Sequence, residues 1–380
     1  LCPVCGNSDP RYIGSKNGVL YCRRCISFVG QSAPPFLPSP KKVELSLAYS
    51  LSAEQKKLSD QILNNFVHGI DTLVYAVCGS GKTEISYGVI AYAMEIGMSV
   101  GFALPRRDVV VELHARLASA FPKNKIVAVY GGHSQVLTGD CLVLTTHQLF
   151  RYPDYFDLLV MDELDAFPFK GSEVLNAMFY RALRGHCLMM SATPSKEVVS
   201  LFKTSGHQML TLHTRFHKHP IPVPYIKLAH NPAKMVFLIQ KLRYFCKKDK
   251  PCFVFVPTIS ECESVFHILS LFLAGGAFVH SKCANRTRVI SNFKKGRLRY
   301  LVTTAVLERG ITVKNLQVIV FDADSPIYDA ASLIQIAGRA GRKADAPEGE
   351  VVFIAEKEEA PMVDAIKEIR YCNTFLQGVL

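Results

Sequence analysis

The chain of 380 residues contains no run of the ~18 uninterrupted apolar residues that a membrane-spanning helix requires, so no span is expected. No secretory signal opens it. It starts at Leu1 rather than Met, which leads us to expect further residues, with room for a targeting segment, upstream. Acidic residues are in deficit: 32 Asp and Glu stand against 44 Lys and Arg, a formal charge of +12. The excess favours an anionic partner such as nucleic acid, nucleotide or a lipid surface, without choosing among them. Paired cysteines are also few. Of twelve, eight are scattered singly among apolar residues, as reduced core thiols would be. This excludes a disulfide scaffold and leaves a cytosolic chain with one metal site. Apolar residues are plentiful, at 49%, and the length suits two or three domains.

The four paired cysteines are Cys2 and Cys5, then Cys22 and Cys25, with 16 residues between the pairs. Two C-x2-C knuckles at this separation match a four-thiolate zinc site. Each knuckle sets two sulfurs on one ion, and the intervening hairpin, turned at Gly6 and Gly18, brings the second pair round. Unliganded thiols or a redox pair are the alternatives at this spacing. Residues 1–30 hold few large hydrophobes, so the metal would supply the folding energy. A closed site of this kind is structural, because no coordination position stays open. Arg11, Lys16, Arg23 and Arg24 make the finger basic, which suits phosphate contact or simply a solvated surface.

Residues 31–50 begin QSAPPFLPSPKK and read as a semi-rigid linker that separates the finger from the rest of the chain. From residue 51, short apolar runs alternate with helical stretches. The runs lie at 72–77, 100–104, 125–129, 140–146, 157–161 and 187–193, with helices such as 82–96 and 107–120 between. This alternation predicts an α/β fold with a mostly parallel sheet covered on both faces, whose ligands bind beyond the strand carboxyl ends. A first lobe over 51–206, a connector over 207–231 and a second lobe over 232–380 are expected. The second lobe has strands near 251–256, 277–280, 299–304, 318–323 and 350–355.

The first strand runs into AVCGSGKTE, residues 76–84. Gly79 and Gly81 let backbone N–H groups turn inward, and the next helix directs its positive end to the same place. Lys82 would reach the β and γ phosphates, and Thr83 would offer a hydroxyl to Mg2+. Ala76 stands where the phosphate-loop pattern has its first glycine. Further along, FDLLVMDELDAFPF places Asp162, Glu163 and Asp165 directly after an apolar strand. A surface acidic turn would not explain why four apolar residues lead straight into the pair. A phosphate loop needs a metal and the metal needs carboxylates. Asp162 would hold it and Glu163 would polarise the attacking water. Asp165 either couples to the next motif or caps the turn.

QIAGRAGR, residues 335–342, ends the functional part of the second lobe. Arg339 and Arg342 would share one face if helical, and an arginine there would stabilise charge on the transferring phosphoryl group. Alone, the run could be a solvated helix.

In order, Gln55, AVCGSGKTE, DELD, SAT (191–193), TTAVLERGIT (303–312) and QIAGRAGR resemble the superfamily-two helicases over about 51–345. That resemblance implies two RecA-like parallel-sheet lobes behind the four-Cys finger. It implies ATP held by Gln55, Gly79, Ser80, Gly81, Lys82, Thr83, Gly310 and Gln335, with Gln55 reading adenine. It assigns strand contact to Pro105, Arg106, Gly131, Gly132, Thr145, Thr146, His280, Ser281, Thr303 and Thr304. SAT would link hydrolysis to those contacts. Ile336 and Ala337 depart from the arginine-bearing form of many RNA helicases and look more like the DNA-directed branch. With the finger and DELDAFPF, the chain is similar to the ATPases that draw transforming DNA into competent Gram-positive bacteria. This implies a single-stranded-DNA translocase, with ATP, Mg2+ and Zn2+, at the inner face of the cell membrane beside other uptake proteins. An RNA-directed helicase and a zinc-finger scaffold without motor activity are the competing classes.

Overall fold

The computed structural model describes all residues except 1, 48, 78, 167, 205, 305–311 and 377–380. The chain forms two compact units. One comprises Leu1–Ala76 and Gly81–Leu212, the other Val77–Ser80 and His213–Leu380.

The first unit begins with a hairpin, β1 (Ile13–Lys16) and β2 (Val19–Cys22), that carries the cysteine knuckles. Then come α1 (Ala53–Val67), β3 (Thr72–Ala76), α2 (Lys82–Ile85), α3 (Tyr87–Glu95), β4 (Val100–Leu104), α4 (Arg107–Ala120), β5 (Ile126–Val129) and β6 (Cys141–Thr145). β7 (Phe156–Asp162), α5 (Glu173–Ala182), β8 (Leu183–Ser191), α6 (Lys196–Thr204) and β9 (Gln208–Leu212) complete it. Seven strands pair in the order β5-β6-β4-β7-β8-β3-β9, every pair parallel. The apolar runs are continuous because both faces are covered. Along β7, Leu158 and Val160 enter one core cluster and Leu159 and Met161 the other, the two-residue alternation of a strand.

Two expectations need correction here. The helix predicted over 82–96 is broken at Ser86, whose hydroxyl donates to the Thr83 carbonyl at 2.7 Å. Such back-bonding competes with the regular helical ladder. The proline-rich segment is also not a free spacer. The Ala33 N–H donates to Arg151 O (2.8 Å), the Lys41 N–H to Glu95 O (3.1 Å) and the Ser46 N–H to Ala120 O (2.8 Å). Lys41 pairs with Asp140, and Lys123 with Glu44 at 2.6 Å. Pro38 and Pro40 lie so close to Gly97 (φ +77°) that no side chain fits there. Prolines lack the N–H that would let this segment build its own ladder, so it runs as a strap over the unit.

The finger, in turn, is docked. Its thiols and the side chains of Val4, Ile13 and Phe28 join the core cluster containing Tyr152, Leu159 and Phe179. Phe28 stacks on His147 (centroids 5.8 Å apart, 21° between planes) and Arg24 pairs with Glu173 at 2.8 Å. Burial lowers the His147 pKa, which keeps the stacked ring neutral near pH 7.

The second unit has β10 (Tyr225–Leu228), α7 (Ala233–Lys247), β11 (Cys252–Phe255), α8 (Ile259–Ser270), β12 (Gly276–Val279), α9 (Arg286–Lys294), β13 (Tyr300–Thr303), β14 (Gln317–Phe321), α10 (Ala330–Ala337), β15 (Val351–Ala355) and α11 (Ala360–Thr374). Its sheet order is β10-β15-β14-β11-β13-β12, again all parallel. The stretch 207–231, read as a connector, contributes an edge strand to each sheet: β9 to the first and β10 to the second. Neither strand stands out in sequence, since only one residue of the two, Leu212, is fully buried.

Phe28→Ala should weaken finger docking by about 1–2 kcal/mol, below the usual cost of a fully buried Phe because this ring is half-buried. The expected signature is faster amide exchange at 146–151 with unchanged exchange in β1 and β2. Unchanged exchange at 146–151 would show that Phe28 does not hold the finger to the lobe.

Candidate active site and metal centre

In the first unit, apart from Gln55 on α1 and the cysteines of the finger, the residues read as functional fall at or just beyond strand carboxyl ends. The pairing order divides them. β5, β6 and β4 lead into the residues read as strand contacts, β7 and β3 into those read as nucleotide-binding, and β8, between β7 and β3, into SAT, read as the link.

Lys82 and Thr83 open α2, and Gly81 precedes them in the left-handed region (φ +81°). The glycine is needed twice, for its φ and for space, because an added Cβ would collide with Gln55 Nε2. Gln55 itself is buried. It forms a reciprocal cap with Ser52, whose N–H donates to Gln55 Oε1 at 2.9 Å and whose Oγ accepts from the Gln55 N–H at 3.2 Å. The cap turns the carboxamide nitrogen toward Gly81. Glu84 is held by Arg116 at 2.5 Å and by the Tyr49 hydroxyl at 3.0 Å.

β7 lies between β4 and β8 and delivers Asp162 as its last residue. Asp162 Oδ1 accepts from the Glu163 N–H at 2.7 Å. Glu163 adopts φ +62°, a conformation that costs a non-glycine residue about 1–3 kcal/mol and clusters at functional sites. Asp165 accepts from Ser191 Oγ (2.7 Å) and Thr193 Oγ1 (3.0 Å). Of the two roles open to it in sequence, the structure favours coupling: it ties DELD to SAT. A hydroxyl and a carboxylate, Thr83 and Asp162, are oxygen donors of the kind Mg2+ takes.

Pro105 and Arg106 follow β4, Gly131 and Gly132 follow β5, and Thr145 ends β6 with Thr146 after it. Gly131 and Gly132 are exposed, and a Cβ added to either would meet open space. The Arg107 guanidinium stacks over Tyr130 at 4.8 Å, joining the turn after β4 to the turn after β5. Thr146 is fully buried.

In the second unit, His280 and Thr303 are buried and engaged. His280 Nε2 lies 3.1 Å from Glu263 Oε1, and Thr303 Oγ1 donates to Val279 O at 2.9 Å. Ser281 is exposed and Thr304 half-buried. Gly310 lies outside the described residues. Gln335 is buried on α10. Arg339 and Arg342 do not share a helix face: α10 ends at Ala337, with Gly338 as its cap. Gly341 (φ +62°) continues the turn, which a regular helix would forbid. Arg339 is buried, and Arg342 Nε donates to Gly338 O at 3.1 Å.

Arg215 carries no signature in the sequence. Its guanidinium donates to the carbonyls of Gly338 (3.1 Å), Ala340 (3.0 Å) and Gly341 (2.7 Å). The run HTRFHKH around it is basic, but nothing in its composition points to residues 338–341.

The cysteine cluster is compact. The Cys2 and Cys25 sulfurs are 3.5 Å apart, those of Cys5 and Cys22 3.7 Å, and all four lie within 4.8 Å of one another. None is bridged as a disulfide. Four thiolates about 2.3 Å from one zinc ion would have sulfurs about 3.8 Å apart, so the donor set and its spacing fit that metal.

Glu163→Gln should retain ATP binding and lose turnover by two orders of magnitude or more, because an amide cannot accept a proton from water. Near-normal hydrolysis would remove Glu163 from its role. One equivalent of zinc should copurify with the chain, and Cys22→Ser should release it. Basal hydrolysis should survive, since the nucleotide-binding motifs begin after residue 51, while the melting temperature of the first unit falls because the finger shares its core. A metal-free protein with an unchanged melting temperature would contradict the docking.

Residues 53–201 match the DEAD/DEAH box helicase model, and residues 233–344 match the helicase conserved C-terminal domain. Among solved structures, S. cerevisiae Dbp5 bound to RNA and ADP BeF3 superposes with a TM-score of 0.66 at 17% identity. That match covers 87% of this chain and 98% of the other, and it establishes the fold. Competence protein ComFA of Bacillus subtilis (strain 168) is 32% identical across 98% of this chain and 85% of its own length. ComFA of Streptococcus pneumoniae (strain ATCC BAA-255 / R6) is 32% identical across 94% and 86%. The match therefore runs through the cysteine finger as well as both lobes, and the chain belongs to the ComFA family of helicase-like, ATP-hydrolysing enzymes.

Proposed function

We propose that this protein is an ATP-driven translocase on single-stranded DNA that powers the uptake of transforming DNA. The observation that carries this is the division of the first sheet's carboxyl edge. Residues read as nucleotide-binding follow β7 and β3, those read as strand contacts follow β5, β6 and β4, and Asp165 ties DELD to SAT at the end of β8. The relatives' printed name, competence protein, supports the uptake role. The charge of +12 supports a polyanionic track.

In this reading Lys82 binds the β and γ phosphates, while Thr83 and Asp162 hold magnesium. When bound, magnesium would supply charge neutralisation for the transferring phosphoryl group. Glu163, held at one backbone angle beyond β7, orients the attacking water and takes its proton. Arg342, with Arg339, stabilises the charge that develops in the transition state. Asp165 passes a change at DELD to Ser191 and Thr193, and so toward the strand. Arg106, Gly131, Gly132 and Thr145 track the backbone. Cys2, Cys5, Cys22 and Cys25 would hold zinc, which would fix the fold of the finger. The finger docks beside the 146–151 turn, where it meets the strand or an uptake partner at the inner face of the membrane. No helix among the described residues is long and apolar enough to cross one.

Single-stranded DNA should stimulate ATP hydrolysis, and binding should weaken steeply with salt, each neutralised phosphate adding about −0.7 to the log–log slope. Stimulation by RNA alone, or a flat salt response, would refute the DNA-translocase reading.

A further inference from the structure

The segment 213–219, HTRFHKH, belongs to none of the helicase motifs, yet Arg215 is among the largest fully buried side chains, 1% exposed. Its three carbonyl partners lie at the end of α10 and in the turn after it. Those groups have no acceptor role left within the helix and carry the negative end of its dipole. Charge-assisted bonds to them compensate for burying the guanidinium. His217 Nε2 adds a contact to the same Gly341 oxygen at 3.1 Å. Behind Gly341 the Pro347 carbonyl is so close that no Cβ could be accommodated. The loop 338–342 is thus held from two sides.

Two further details connect this loop to chemistry. The Gly338 carbonyl accepts from both Arg215 Nη2 and Arg342 Nε, each at 3.1 Å, so the two arginines share one oxygen. On its other side the segment meets the phosphate-loop turn. The Phe216 N–H donates to Gly79 O at 3.2 Å, and a Cβ on Gly79 would lie 3.7 Å from Arg215 Nε. Val77–Ser80 and His213–Leu380 are parts of the same compact unit.

We infer that Arg215 is a positioning residue for ATP hydrolysis: it fixes the 338–342 loop against the Gly79 turn and so sets the orientation of Arg342. This rests on Arg342 being the arginine that stabilises the transferring phosphoryl group. A mere structural plug would affect folding but not the catalytic step selectively.

Arg215→Lys keeps the charge but replaces a planar fork with a point donor that cannot bridge three carbonyls. It should leave the melting midpoint and the affinity for a fluorescent ADP analogue nearly unchanged, hold KM for ATP within about threefold, and lower kcat by about 30-fold. In an Arg342→Ala background the same change should cost less than about threefold, because the two act through one loop. His217→Ala, should Arg215→Lys not fold, removes one contact from Gly341 and should lower kcat by about three- to tenfold, again absorbed by Arg342→Ala. Wild-type kcat in both Arg215→Lys and His217→Ala, or losses that multiply with Arg342→Ala, would overturn the inference. If Arg342→Ala alone hydrolyses ATP normally, the reading beneath it fails instead.

Discussion

The layout of the candidate active site depends on a buried parallel strand that ends in carboxylates. β7 is fixed on both sides by β4 and β8, and its apolar residues fill both cores. Asp162 therefore emerges at one place, and the chain must turn immediately. Glu163 takes that turn at φ +62°, which stores about 1–3 kcal/mol that packing around the strand has to supply. The Asp165 bonds to Ser191 and Thr193 then anchor the far side of the turn to the neighbouring strand's end. Strain at Glu163 persists because both flanks are held.

The same logic of held loops recurs elsewhere. Gly81 accepts the close approach of Gln55, and the 338–342 turn is gripped by Arg215 and His217. The finger, too, is built onto the frame: Phe28 and Gln31 meet residues 147–151, directly after the β6 end that carries Thr145. The finger thus packs on the turn that follows Thr145, a residue proposed to contact the strand. The 31–50 strap then continues along the same unit through Lys41 and Ser46, which binds the finger's fate to that of the lobe.

Much of this was legible in the sequence. Continuous apolar runs flagged the buried parallel strands, the spacing of the cysteines flagged the four-thiol cluster, and the order of the motifs pointed to the family. What stayed hidden has a physical reason in each case. Edge strands β9 and β10 are thinly buried and so lack the apolar signature. The strap over 31–50 looks like a linker because its contacts are long-range backbone bonds, which composition does not record. The break at Ser86 depends on one hydroxyl. Arg339 and Arg342 suggest a helix face by spacing, but Gly338 and Gly341 end the helix first. Arg215 reveals itself only once the fold brings residue 215 to residues 338–341.

The central claim is directed, ATP-fuelled movement along a DNA strand, and displacement of streptavidin from a biotinylated single-stranded oligonucleotide tests it most directly. The account predicts displacement that requires ATP hydrolysis and is faster from one end of the strand than from the other. ATP turnover stimulated by the same oligonucleotide, with no displacement from either end, would contradict it.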